Sequence, residues 1–344
     1  MNHQQIEQLA THPLRSPELH LFTGLHLPWA ARRNPEADRH ARMSQAAAFE
    51  LGVLQSGVLS DQRRFEAFVA ADGWAYPTAS AERLHAAGGF NQWLYLLDDQ
   101  YDDDPTVGRN PDAVRRIMQQ TFAVLQSGVL PPRPVPFDHW TRAIRSRLAH
   151  FAPDGWMARF FADTHDYLFK GSLVVMEQWS ADHVLGVDDY AELRLFDSSL
   201  HAVFDVLELA VDAVFPAEVI SHPAYLELRR CAARHVAFAN DLFSYHKECI
   251  RHGSRFNLLH VLQVDRQLSL GEALAEAFTM LETDLDRFVA IEASLPRFSP
   301  TVDAALLRYA DGLKGWITGN VAFSKASARF RAPDAVFAEL RLPV

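Results

Sequence analysis

The stretch FNQWLYLLDDQYDDDP, Phe90 to Pro105, sets an electrostatic problem. An apolar run that reads as the buried side of a helix leads into five aspartates within seven residues, Asp98 to Asp104. Crowded carboxylates repel one another and are costly to take out of water. If the run is helical, Asp98 and Asp102 are i and i+4 and leave one face together. Pro105 disfavours helix in the residue before it, so the helix ends around 103–105. The acids then stand at a helix C-terminus, where the macrodipole also disfavours negative charge. A bound cation reverses that balance, and converging carboxylate oxygens suit a hard ion such as Mg²⁺. Taken alone, the stretch also fits a solvated acidic helix end. It is not an EF-hand loop, because the D-x-D-x-D-G spacing and the later glutamate are missing.

A second stretch, FANDLFSYHKECIRHG, Phe238 to Gly253, changes the reading. Asn240, Ser244 and Glu248 follow one another at steps of four. In an α-helix each step turns by about 400°, so the three drift by only about 80° and share a face. An amide oxygen, a hydroxyl and a carboxylate in a row make an oxygen-ligand set for a hard cation. Lys247 lies almost on the same line and could hold an anion bound to that cation. Such a pattern by itself is also an ordinary polar helix face; the pairing with the aspartates is the specific signal.

Together, DDQYD (Asp98, Asp99, Asp102) and NDLFSYHKE (Asn240 to Glu248) resemble the motifs of the bacterial class I terpene synthases. Arg194, 46 residues before Asn240 in YAELRLFDSS, is similar to that family's diphosphate-sensing arginine, with Asp197 and Ser198 at its linker and effector positions. GLKGWITGNVAFSKASARF resembles the C-terminal W-x-x-G-N stretch, and the approach to the aspartates is also similar. The likeness spans roughly residues 28–330. It implies an all-α, single-domain terpene synthase bundle around a central cavity, with a polar N-terminal and a short C-terminal tail.

The substrate so implied is a linear isoprenyl diphosphate, C15 farnesyl diphosphate first and C20 geranylgeranyl diphosphate as the alternative. Three Mg²⁺ ions held by Asp98, Asp102, Asn240, Ser244 and Glu248 would act as Lewis acids on the leaving group. Asp99 and Asp103 stand behind these ligands, and Asp99 is implied to pair with Arg329 on closure. Arg194, Lys247 and Arg329 would neutralise the diphosphate, the arginines in bidentate fashion. The Ser198 carbonyl at a helix break would assist ionisation. Phe90, Trp93, Phe196, Trp316 and Phe323 are candidate aromatic walls for the carbocation, each worth about 0.5–2 kcal/mol, though core packing explains any one of them as well. Two departures stand out: the family's Arg-Tyr pair reads Arg329-Phe330, and an aromatic usually Trp is Phe323. One phosphate-binding hydroxyl is thus missing, with Tyr245 and Lys325 the nearest substitutes in sequence.

Composition agrees. The 344 residues are 49% hydrophobic and 22% charged, with a formal net charge of −10. That is globular material, and its acidity disfavours nucleic acid as a partner. Two cysteines, Cys231 and Cys249, make neither a disulfide framework nor a CxxC zinc site. No signal-peptide pattern or membrane-length apolar run is visible, so a cytoplasmic protein without a membrane span is expected. A homodimer is compatible with all of this.

Helical periodicity dominates, with ten or more helices expected and no hairpin signal. ELRLFDSSLHAVFDVLELAVDAVF, residues 192–215, keeps an apolar face for about six turns. LPPRPVPF, residues 130–137, reads as a stiff inter-helix loop rather than a domain linker, because the two motifs lie on opposite sides and must meet. A prenyl-elongating synthase would carry a second aspartate-rich motif where this chain has NDLFSYHKE. A non-catalytic diphosphate-binding protein is favoured only by Phe330. A di-iron bundle needs paired E-x-x-H motifs, whereas Glu248 and His252 are E-x-x-x-H without a second copy.

Overall fold

The computed structural model describes residues 18–102, 110–179 and 184–342, with the side chains of residues 99, 101, 102 and 179 outside the description. The expected roles of Asp99, Asp102 and Asp103 therefore fall outside the described residues. What is described folds as α-helices, with isolated backbone bridges and no strand. None of these helices is long and apolar enough to cross a membrane.

The helices that frame the site are α1 (Ala37–Glu50), α2 (Leu59–Ala75), α3 (Ala81–Asp102), α4 (Pro111–Ser127) and α5 (Pro136–Phe151). They continue as α6 (Trp156–Asp166), a π-helical turn (Tyr167–Ser172), α7 (Leu173–Trp179), α8 (Val187–Asp197) and α9 (Leu200–Ala210). Then come the short α10 (Ala217–Ile220), α11 (Pro223–Tyr245), a second π-helical turn (His246–Arg251) and α12 (Leu258–Asp265). The long α13 (Leu270–Ala293) and α14 (Pro300–Ala326) close the bundle.

Helix α11 is the axis. It is buried along most of its length, polar residues Arg229, His235, Asp241 and Ser244 included, and packs on both α13 and α14. Helix α14 lies in turn against α2, at a distance set by Gly319, where a Cβ would stand 2.3 Å from the Trp74 carbonyl oxygen. Local signals set the ends. Ser269 and Glu272 form a capping box on α13, and Pro111 with the left-handed Gly128 bounds α4. Gly128 turns the chain into the proline-rich loop, and α4 and α5 pack together across it.

Two expectations change. The six-turn apolar face is split, because Ser198 ends α8, Ser199 adopts a left-handed φ of 59°, and α9 starts at Leu200. The Ser198 hydroxyl bonds back to the Leu195 carbonyl at 2.8 Å, a local bond that competes with the helix ladder. The packed unit also extends past residues 28–330. Leu21, Leu25, Phe337 and Leu340 are buried, and the Leu21 and Phe22 amides both donate to the Glu339 carboxylate at 3.1 Å. The segments flanking the expected core are therefore fastened to one another over it.

Helix α9 carries two fully buried acids. Arg159 and Arg229 meet Asp205 at 3.0 and 2.9 Å, and Glu208 accepts from Arg159 and from the Tyr225 hydroxyl. Asp163 approaches Arg229 at 3.7 Å, so the cluster ties α6, α9 and α11. Burial pushes the Asp163 carboxyl up to about 7, helped by the Asp205 charge and opposed by Arg229. In the unfolded chain an aspartate titrates near 3.9. The folded state thus keeps a proton that the unfolded state releases, and stability falls as pH rises from about 4 to about 7. Melting temperatures measured across that window should show the decline, and Asp163→Asn should flatten it.

Candidate active site

Helix α3 presents Asp98 by burying its other faces. Phe90 and Trp93 are fully buried; they stack at 5.4 Å, and the Trp93 indole N–H donates to Thr141 Oγ1 at 2.9 Å. Phe90 also meets Phe160 edge-on at 4.9 Å. Both rings pack against α5 and α6. Eight and five residues before Asp98, they stand about 80° and 140° around the helix from it. Asp98 itself is half-buried and accepts from the Tyr167 hydroxyl at 3.1 Å.

Tyr167 opens the first π-helical turn, and Ser172 closes it. The Ser172 hydroxyl donates to Asp197 Oδ1 at 3.0 Å, while Arg194 Nη1 reaches Asp197 Oδ2 at 3.4 Å. Burial raises the Asp197 carboxyl, against the pull of Arg194 and the Ser172 bond. Burial likewise holds the Tyr167 hydroxyl well above its usual range, reinforced by Asp98 and Asp197. Gly171 lets this turn lie directly on the end of α8; a Cβ there would stand 2.6 Å from Asp197 N. Phe196 is half-buried and stands 6.0 Å below the exposed Lys170 ammonium and beside His201.

Arg194 is held by α11. Its Nε and Nη2 lie 3.0 and 2.9 Å from Asp241 Oδ1, and Nη2 lies 3.4 Å from Asn240 Oδ1. Asp241 is buried, accepts also from the Tyr190 hydroxyl and from the Leu258 amide, and its carboxyl is pushed up to about 6 by burial against the opposing Arg194 charge. Asn257, the N-cap of α12, donates to Glu248 Oε2 at 3.1 Å and to the Asp241 carbonyl at 2.9 Å. Asp98, Tyr167, Asp197, Arg194, Asn240 and Glu248 are thereby brought to one end of the bundle.

The Asn240-Ser244-Glu248 face is not the uniform α-helical one that step counting assumes. Lys247 and Glu248 sit in the second π-helical turn. A step of four overshoots a full α turn by about 40°. The wider π turn overshoots less, so it brings Glu248 back toward Asn240 and Ser244. Ser244 is buried and gives its proton to the Asp241 carbonyl at 3.4 Å, which leaves its lone pairs for another partner.

On the other side, Arg329 lies in a 3₁₀ turn with its guanidinium 5.9 and 5.7 Å from the stacked rings of Phe68 and Tyr95. Tyr95 is one turn before Asp98, so Arg329 flanks the aspartate helix. Phe330 is buried, 5.9 Å from the Phe243 ring. Neither expected substitute for its missing hydroxyl is aimed at the site: Tyr245 donates to Gln263 at 2.9 Å, and the Lys325 ammonium sits 4.8 Å over Phe22. Trp316, edge-on to Tyr76 at 5.5 Å and to Phe204 at 6.2 Å, is half-buried, as is Phe323.

Among the described residues, no group of three His, Cys, Asp or Glu side chains is arranged to hold a metal ion. The α11 face fits a hard cation through a different donor set, one amide oxygen, one hydroxyl and one carboxylate. Four contributors escape sequence reasoning: Tyr167, Ser172, Asp241 and Asn257. Asp241 lies inside the motif but off its four-residue step, and the N-cap residue Asn257 had a visible signal just before LLHVL.

Residues 89–287, more than half of the chain, match the family described as "Terpene synthase family 2, C-terminal metal binding". The (+)-T-muurolol synthase ((2E,6E)-farnesyl diphosphate cyclizing) of Roseiflexus castenholzii is 29% identical over 303 residues, 88% of this chain and 92% of its own length. The 10-epi-cubebol synthase of Sorangium cellulosum is 29% identical over 260 residues, 76% and 82% of the two chains. The crystal structure of germacradien-4-ol synthase from Streptomyces citricolor superposes with a TM-score of 0.74 at 27% identity, covering 90% of this chain and all of that one.

The Gly171 contact is testable. A methyl group there meets backbone, which cannot swing aside, and overpacking of this kind costs about 1–3 kcal/mol. Gly171→Ala should lower the melting temperature and displace Asp197, whereas Gly186→Ala, whose Cβ would meet only Asp265 Oδ1 at 3.7 Å, serves as a control without overpacking. Thermal melts and residue-resolved hydrogen exchange around residues 194–199 would check it.

Proposed function

The chain belongs to the class I terpene synthase family, and from that premise we propose that it ionises farnesyl diphosphate and cyclises the cation to a sesquiterpene, releasing diphosphate. The observation that carries this reading is the meeting of the aspartate helix with the Arg194-Asn240-Glu248 face through Tyr167 and Asp197. The substrate length is supported by the (2E,6E)-farnesyl diphosphate in the relative's name.

Asp98 and Asp102 on one side, and Asn240, Ser244 and Glu248 on the other, would hold Mg²⁺, three ions in all. Bound there, the metal supplies Lewis-acid charge to the departing diphosphate. Arg194 is the residue prepared to receive that anion. Asp241 grips one edge of its guanidinium, which fixes the plane of the remaining donors. Lys247 and Arg329 add positive charge from the α11 side and the α3 side. Ser198 ends α8, and its carbonyl oxygen carries the partial negative charge of a helix C-terminus. As the C–O bond breaks, positive charge grows on the allylic carbon, and this oxygen is suited to stabilise it. Trp316 and Phe323 then offer ring faces to the migrating cation.

Incubation with C10, C15 and C20 diphosphates, followed by mass spectrometry of the extract, tests the proposal. A cyclic C15 product should dominate, vanish with EDTA and return with Mg²⁺. A C20 product in its place would move the reading to a diterpene synthase, and turnover in metal-free buffer would remove the mechanism.

Phe330 gives a second test. A hydroxyl bonded to a charged phosphate is worth about 1.5–3 kcal/mol, or about ten- to a hundredfold in rate. Because the Phe330 ring is packed on Phe243, Phe330→Tyr should change turnover less than about tenfold, while Arg329→Ala loses more. Steady-state kinetics of the two variants distinguish a chain adapted to Phe330 from one limited by it.

A further inference from the structure

Tyr167 and Ser172 are five residues apart, a spacing that turns two side chains about 140° from one another in an α-helix. Here the turn is π-helical, and each backbone bond closes one residue further along. Residues i and i+5 then leave the same side of the helix, so the two hydroxyls can reach acids on one side. One reaches Asp98 Oδ1 at 3.1 Å and the other Asp197 Oδ1 at 3.0 Å. Gly171, between them, removes the Cβ that would hold the turn off the end of α8. Both side chains are buried, so neither hydroxyl is engaged by bulk water. π turns are rare, and a chain that keeps one here places two donors on two acids from separate helices.

We propose that Tyr167 and Ser172 are positioning residues that tie the aspartate helix to the break between α8 and α9, so that Asp98 and the Asp197–Arg194 pair are set as one unit. This rests on the functional reading above for the identity of the ligands. Occupation at the Asp98 side is then felt at Arg194, and by linkage the reverse holds equally. Neither hydroxyl needs to touch substrate; each acts through the carboxylate it holds.

The test is calorimetric binding of inorganic diphosphate at fixed Mg²⁺, with melting temperatures recorded in parallel. Tyr167→Phe and Ser172→Ala should each weaken binding by at least about tenfold, the scale of a lost bond to a charged group. The double variant should bind no more weakly than the worse single variant, because one linkage has been cut twice. Ser172→Thr, which keeps the hydroxyl, should stay within about threefold of the parent chain. Fully additive losses, or unchanged binding with lowered melting temperatures only, would overturn the proposal. If Tyr167→Phe does not fold, comparing Ser172→Ala with Ser172→Thr decides the same question. Diphosphate binding needs no turnover, so a parent chain that binds it yet forms no product defeats the functional reading and not this one.

Discussion

Carboxylates that must stand close together, partly out of water, at one end of a helical bundle are the constraint on which the site depends. Each one the structure describes is given a donor before any ligand arrives. Asp98 has Tyr167, Asp197 has Ser172 and Arg194, Asp241 has Arg194, Tyr190 and a backbone amide, and Glu248 has Asn257. A buried acid with its hydrogen bonds satisfied can be kept near others of its kind; one without them is destabilising by several kcal/mol. These bonds place the acids, and they leave a local excess of negative charge that a cation completes.

The backbone departs from regular helix where this placement demands it. Two π-helical turns, a break with a left-handed serine and a glycine in backbone contact all lie within the site. Elsewhere the helices are ordinary, with side-chain N-caps on α4, α11, α12, α13 and α14 and apolar faces inward. Regularity suits packing, since a repeating face meets a repeating groove. A site whose ligands come from separate helices needs side chains in registers that 3.6 residues per turn does not supply, and the irregular turns provide them.

The acid cluster on α9 meets a similar requirement for a structural purpose. Asp205 and Glu208 are fully buried, yet two arginines and a tyrosine hydroxyl surround them, and the group joins three helices. Removing one partner from such a group is far more damaging than its net contribution implies, because the remaining charge is stranded.

Periodicity and the two spaced motifs were enough to read an all-α fold, the aspartate helix and the Asn240-Ser244-Glu248 face, because both depend on contacts between residues near in sequence. The inter-helix loop after Gly128 was legible for the same reason. What the sequence could not determine was which side of a helix a neighbour would cover. Phe90, Trp93 and Phe196 look like cavity aromatics by composition, but what each ring touches is set by the packing of α5, α6 and the first π turn. Tyr167 and Ser172 carry no signal at all, since five residues apart means opposed directions until the turn widens. Arg194 could be named from its motif, but its anchor on Asp241 is a contact across 47 residues of chain. Local spacing fixes the direction of a side chain relative to its own helix; only the docking of one helix on another fixes what that side chain meets.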